Sequence, residues 1–237
     1  MLQSIKKLYG HKLAATDGDI GHVKDFYFDD RNWVVRYIVA DTGGWLPGRK
    51  VLLTQHSLGR PDQNGKALPV NLTREQIEKS PSVESRQPVS RQHEEEYYRY
   101  YGWPLYWEGD GLWGMSAFPI LEPPAASLPR EPALLSDGSP ASAAAHLRSA
   151  LAVNGYHITG SDGTIGHIAD FMMDDKNWTI QQLVVKVGHR LSGNEVRIPT
   201  SAVGRISYDE STVFVNLTIE AIEHSPLHAA ELVGAAG

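Results

Sequence analysis

The chain has 237 residues, with 22 Lys and Arg against 28 Asp and Glu for a formal net charge of −6, and is 41% hydrophobic and 21% charged. This is the balance of a globular protein with room for one large or two small domains. The acidic excess argues against a phosphate-tracking surface, hence against nucleic acid as partner. The absence of cysteine excludes disulfides, thiol nucleophiles, Cys-based zinc sites and iron–sulfur ligation.

The opening Met1-Leu2-Gln3-Ser4-Ile5-Lys6-Lys7-Leu8 lacks the apolar core of a secretory signal. No run approaches the roughly 18–20 apolar residues of a membrane-spanning helix. A cytoplasmic location is the expectation.

In chain order, residues 11–15 read as a short strand, and Asp17-Gly18 supplies hairpin turn chemistry. Residues 20–28 form a second strand, closed by a turn at Asp29–Asn32. A third strand, rich in Val, Ile and aromatics, runs from Trp33 to Ala40. A Gly-rich loop, Gly43–Gly48, leads to strands at Lys50–Leu53 and Ala67–Leu72. Thr73 then caps a short helix, with Gln76 at the capping-box position. Ser90–Tyr101 reads as a helix whose acids Glu94–Glu96 crowd its positive end, with Gly102 as its stop. Trp103, Tyr106, Trp107 and Trp113 follow, and then a Pro/Ala-rich linker to about residue 145. Residues 227–237 are a small-residue tail.

The chain then repeats itself. Asp17-Gly18-Asp19-Ile20-Gly21-His22 recurs as Asp162-Gly163-Thr164-Ile165-Gly166-His167, an offset of 145. The same offset relates Asp25-Phe26 to Asp170-Phe171 and Asp29-Asp30-Arg31-Asn32-Trp33 to Asp174-Asp175-Lys176-Asn177-Trp178. It still holds at Val70–Pro81 and Val215–Pro226 without a gap. Thr218 keeps the helix cap of the second copy, whereas Ala221 loses the box. The copies diverge after Val184: Asp41 and Gly44–Lys50 become Lys186 and His189–Glu195, with Arg190 in the place of Trp45. Short antiparallel strands in so small a module must bury their edges, most simply by closing into a barrel.

The pattern Asp-Gly-x-Ile-Gly-His-Val/Ile-x-Asp-Phe, then Asp-Asp-x-x-Trp, then Val35-Arg36-Tyr37-Ile38-Val39-Ala40-Asp41, resembles the PRC-barrel family. That family is named for the cytoplasmic domain of the photosynthetic reaction-centre H subunit and also occurs in a ribosome-maturation factor. The resemblance covers about residues 8–81 and 153–226, and the layout is similar to that of soluble bacterial tandem PRC-barrel proteins. It implies a mainly β protein of two small antiparallel barrels, each followed by a short helix. The expected division is a first barrel at 1–87, an aromatic helix and linker at 88–145, and a second barrel at 146–237. It also implies an adaptor without catalytic residues or cofactor, docking on another protein.

Two constellations invite a chemical reading. His22 and Asp25 recur as His167 and Asp170. Spacing of three on a strand puts the two side chains on opposite faces unless a bulge intervenes, which speaks against an acid–base pair. Alternation groups His22 with Ile20, Phe26 and Phe28, and His167 with Ile165, Phe171 and Met173. A structural histidine bonded to backbone and a pH-responsive interface are the two readings. The Asp29-Asp30 and Asp174-Asp175 pairs lack the spacing of a calcium loop and read as turn formers.

The aromatic stretch is the second constellation. Tyr97, Tyr100 and Tyr101 share one helix side, and they either cover a barrel or join the two barrels, or else form a recognition surface. Trp45, Tyr97, Tyr101, Trp103 and Trp107 are therefore the candidate interaction residues. The expected function is a non-catalytic adaptor or scaffold that binds another protein, with the cytoplasmic face of a membrane complex and a homodimer as candidate settings. The alternative is a small-ligand or metal-binding sensor acting through a crevice between the barrels.

Overall fold

In chain order the first repeat forms β1 (Leu2–Ser4), α1 (Ile5–Leu8), β2 (Lys12–Ala15), β3 (Gly18–Asp29), β4 (Val34–Asp41) and β5 (Arg49–Leu53). It continues with β6 (Ala67–Pro69), α2 (Arg74–Lys79), β7 (Val83–Glu84) and the aromatic helix α3 (Arg91–Tyr101). The second repeat forms β8 (Leu147–Ser149), α4 (Ala150–Val153), β9 (His157–Gly160), β10 (Gly163–Asp174) and β11 (Ile180–Val187). After these come β12 (Glu195–Pro199), β13 (Val203–Ser207), β14 (Thr212–Val215) and α5 (Ile219–Glu223). The computed structural model describes residues 1–47, 49–59, 67–81, 83–84, 89–119, 147–187 and 195–223. The Pro/Ala-rich stretch, the loop His189–Asn194 and the tail fall outside the described residues.

The two repeats build two seven-stranded sheets of one design. One has the order β6-β2-β3-β4-β5-β7, with β8 on β3; the other has β14-β9-β10-β11-β12, with β13 beyond β14 and β1 on β10. Register agrees as well: His22 lies opposite Asp41, and His167 opposite Lys186, each shifted by the same offset. Two departures from the sequence reading concern the strands. Each sheet contains a parallel pair, β2 with β6 and β9 with β14, because the chain crosses over after the hairpins and returns in the direction of the first strand. Neither sheet is closed into a barrel by strand pairing among the described residues. The first sheet instead ends in strands of two and three residues, a common way of blunting an edge.

The long central strands explain what happens at the chain's division. β4 covers one whole side of β3 from His22 to Asp29. On the other side β2 covers only Gly18–His22, which leaves the far end of that edge unpaired. The strand that fills it comes from the start of the second repeat: β8 pairs with β3 as Tyr27↔Ser149, Phe28↔Arg148 and Asp29↔Leu147. Its equivalent at the start of the first repeat, β1, fills the matching edge of β10 as Leu2↔Asp174, Gln3↔Met173 and Ser4↔Met172. The exchange is reciprocal and in the same register. The chain accordingly divides into a contiguous unit, Leu8–Ser149, and a split unit, Met1–Lys7 with Ala150–Gly237. The aromatic helix belongs to the contiguous unit, and the direct peptide Ser149–Ala150 joins the units where the sequence suggests the Pro/Ala-rich linker would.

Local geometry follows the repeated motif. Trp33 and Trp178 both adopt left-handed backbone, with φ of 56° and 62°, an uncommon conformation for a bulky residue that recurs at the end of the Asp-Asp turn. Trp33 stacks on Phe28 with ring centroids 5.5 Å apart. Thr73 and Gln76 form the capping box as read from sequence, and Thr218 accepts from the Ala221 N–H without one. Asp17 and Asp162 add an unforeseen bond, each accepting from the first N–H of the helix that follows its own sheet, Arg74 at 2.8 Å and Ile219 at 2.9 Å.

Gly21 and Gly166 sit where backbone meets backbone. A Cβ at Gly21 would lie 1.9 Å from the Asp41 carbonyl oxygen, and one at Gly166 would lie 2.1 Å from that of Lys186. At Gly21 φ is also +124°, which side chains rarely adopt. Gly21→Ala and Gly166→Ala should each destabilise their own unit by at least about 2 kcal/mol, since the clash is with main chain and cannot be relieved by a rotamer change. Chemical denaturation followed by hydrogen exchange in each unit checks this; an unchanged midpoint would show that the strands separate without cost.

Candidate interaction surface on an aromatic cap

The His–Asp constellation takes a form that alternation does not foresee. Ile20 and Lys24 are each the extra residue of a β-bulge, one against β2 and one against β4. The bulges reset the alternation twice, so His22 is exposed while Ile20, Phe26 and Phe28 are buried. His167 is likewise exposed while Ile165, Phe171 and Met173 are buried, which overturns the grouping of either histidine with the core. Asp25 is buried and serves the exchanged strand. Its Oδ1 accepts from the Phe26 N–H at 2.7 Å, and its Oδ2 accepts from the Ser149 hydroxyl at 2.5 Å. Asp170 does the same for Phe171 and for the Ser4 hydroxyl, and also accepts from the Lys6 N–H at 2.9 Å. Asp30 adds an ion pair with Arg148 at 2.8 Å, so one of the turn-forming acids also holds β8.

The aromatic stretch packs on the sheet of the contiguous unit. Every residue of β4 from Val34 to Ala40 is buried, so both faces of that strand are covered. A bulge at Arg36 turns its side chain out of simple alternation. The Arg36 guanidinium lies 3.9 Å from the centre of the Tyr106 ring and 4.9 Å from that of Trp113. It donates to the Leu112 carbonyl at 2.5 Å and pairs with Asp29 at 3.5 Å. Burying a guanidinium is costly unless it is paired and bonded, and here carboxylate, carbonyl and two ring faces surround it.

Glu94 of α3 is fully enclosed as well. Its carboxylate accepts from the Tyr106 hydroxyl at 2.7 Å and the Tyr37 hydroxyl at 3.0 Å, with Arg91 at 3.3 Å. Burial pushes the carboxyl up to about 7, against the opposing pull of Arg91 and the two tyrosine hydroxyls. Burial likewise raises Tyr37 and Tyr97. His56 lies between Trp103, stacked at 5.7 Å, and the edge of Trp113 at 5.6 Å. In the second repeat the positions of Arg36, Tyr37 and His56 hold Gln181, Gln182 and Ser201, so this cap belongs to the first repeat alone.

The five candidate interaction residues therefore fare differently. Tyr97 and Trp103 are buried, with the Tyr97 hydroxyl donating to the Leu52 carbonyl at 2.6 Å, and neither is free to meet a partner. Tyr101 is half-buried, stacked on Trp103 at 4.4 Å. Trp107 is half-buried under the Arg91 guanidinium at 4.1 Å, and Trp45 sits apart, with Arg74 over its ring at 4.5 Å. Sequence reasoning missed the apolar side chains that do face outward here: Met115, 91% exposed, and Phe118, 53% exposed. Among the described residues no three His, Cys, Asp or Glu side chains are grouped as a metal site. No helix among them is long and apolar enough to cross a membrane.

Glu94→Gln gives a test with a definite sign. A carboxyl at about 7 in the fold and near its ordinary 4.5 when unfolded holds its proton more tightly in the native state. Stability contributed at this site is thus full below about pH 4.5 and is lost as pH rises to about 7, by up to about 3 kcal/mol. Relative to Glu94→Gln, the parent protein should lose denaturation midpoint across that window and hold level above it. Parallel pH profiles of the two proteins would show that Glu94 is not the titrating group.

Residues 4–76, from the end of β1 to α2, match the model of the PRC-barrel domain family. No curated protein matches the chain. The match spans the Asp-Gly turn, the bulged β3 and the capped start of α2 just described. The chain thus carries a PRC-barrel domain at residues 4–76.

Proposed function

We propose that this protein is a non-catalytic adaptor that binds another protein through the tip of the aromatic cap packed on its PRC-barrel module. One observation carries the reading: a rigid turn holds Met115 and Phe118 out into solvent. Gly111 and Gly114 bond to each other across the turn, and Trp113 bonds to Ser116. Backbone approaches leave no room for a Cβ at Gly109, Gly111 or Gly114. Trp113 is 1% exposed beneath, and Arg36 fixes the Leu112 carbonyl.

Apolar side chains on a preorganised support lose little freedom on binding, which is the condition for an interface anchor. The buried Arg36 and Glu94 are held by hydrogen bonds, ion pairs and ring faces around them, which supports a binding role over catalysis. In the setting implied by the family resemblance, the partner is a membrane complex reached from the cytoplasm.

Met115→Glu and Phe118→Ser test this in the full chain, with Trp45→Ala as a remote control. A partner captured by the parent protein and confirmed with purified components should bind each of the first two variants at least about tenfold more weakly, a loss of about 1.4 kcal/mol, at unchanged thermal midpoint. Retained affinity in both, or loss only in Trp45→Ala, would move the interface elsewhere.

A further inference from the structure

The division of the chain is not symmetric. The contiguous unit contains its whole sheet, β8 included, whereas the split unit draws β1 from across the full length of the other. Both ends of the contiguous unit rest on one strand: Gly10 donates to the Val23 carbonyl at 2.8 Å, and Ser149 lies beside Tyr27 with its hydroxyl on Asp25. The cut ends of the split unit rest on β10 in the same way. Lys6 donates to Asp170, and Gly155 donates to the Ile168 carbonyl at 2.9 Å. Closely placed ends are the anatomy of a domain inserted into another.

β1 is seated by three paired residues together with the Ser4 and Lys6 bonds to Asp170. A strand so short stays in place only if it is delivered at high local concentration. The folded contiguous unit does this by fixing its two ends along a few residues of β3. If that unit unfolds, a flexible tether of the whole stretch Leu8–Ser149 replaces it, and the local concentration of β1 falls steeply. β8 has no such dependence, because the chain that delivers it lies wholly within its own unit.

We propose that the contiguous unit is a folded insertion that seats β1 on β10, so that completion of the split unit depends on the contiguous unit and not the reverse. Hydrogen exchange with mass spectrometry on the full chain reads both directions. Ile38→Ala opens a cavity at a fully buried position of β4. In mild urea, peptides covering Leu2–Ser4 and Met172–Asp174 should then exchange at least tenfold faster, together with β3 and β4. Asp170→Ala should speed exchange at Leu2–Ser4 and Met172–Asp174 while leaving β3 and β4 at the parent rate. A urea series on the unsubstituted chain gives the same order without relying on a variant to fold. Protection of Leu2–Ser4 that outlasts β3 and β4 would overturn the proposal, as would opening of β3 and β4 by Asp170→Ala.

Discussion

An edge of backbone that its neighbour does not reach governs much of this structure. β3 runs for twelve residues and β10 for twelve, but β2 and β9 cover only the first part of each. Unpaired N–H and C=O groups at such an edge must bond to something, and an open edge invites other chains. The start of the opposite repeat fills it, and a single aspartate beside each edge receives the serine of the incoming strand. The repeated Asp-Phe pair thus has a physical reason: Phe packs inward, and Asp secures a strand that arrives from elsewhere in the sequence.

The cap over the first repeat rests on a different constraint. Arg36 and Glu94 are both enclosed, and between them they are served by groups from β3, β4, α3 and the loop after α3. Buried charges of this kind add little net stability beside apolar replacements, but they penalise any arrangement that leaves one unpaired. They therefore fix where the aromatic chain lies. The second repeat has Gln181 and Gln182 in the matching positions, and among the described residues no such cover lies over β11, where Gln181 is exposed.

Much of the fold is legible in the sequence. The offset of 145 relates every paired element, and hairpin turns, strands and the Thr73 capping box stand where turn and cap chemistry puts them. The bulges at Ile20 and Lys24 are not legible, because an extra residue leaves the apolar pattern intact while reversing His22. The exchanged strands are faintly visible as Leu-x-Ser at 2–4 and again at 147–149. Pairing partners are set by which edge is vacant, however, and composition does not reveal a vacant edge. At the site, the charged Arg36 within an otherwise apolar strand was the available sign that both faces of β4 are covered. Met115 and Phe118 gave no sign, since exposure there depends on how three glycines fold a turn.

The Pro/Ala-rich stretch leaves the contiguous unit after the aromatic cap and re-enters the same unit at β8. The described residues on either side of it belong to one unit, so the chain crosses between the units elsewhere. Doubling the length of a segment whose ends stay within one unit costs only about 0.6 kcal/mol in closure entropy. The stretch is accordingly a place where descendants of this gene can gain or lose residues freely. The two points where the chain crosses between units, Lys7–Leu8 and Ser149–Ala150, have no spare residue to give, so evolution meets its strictest length constraint where the sequence shows no linker at all.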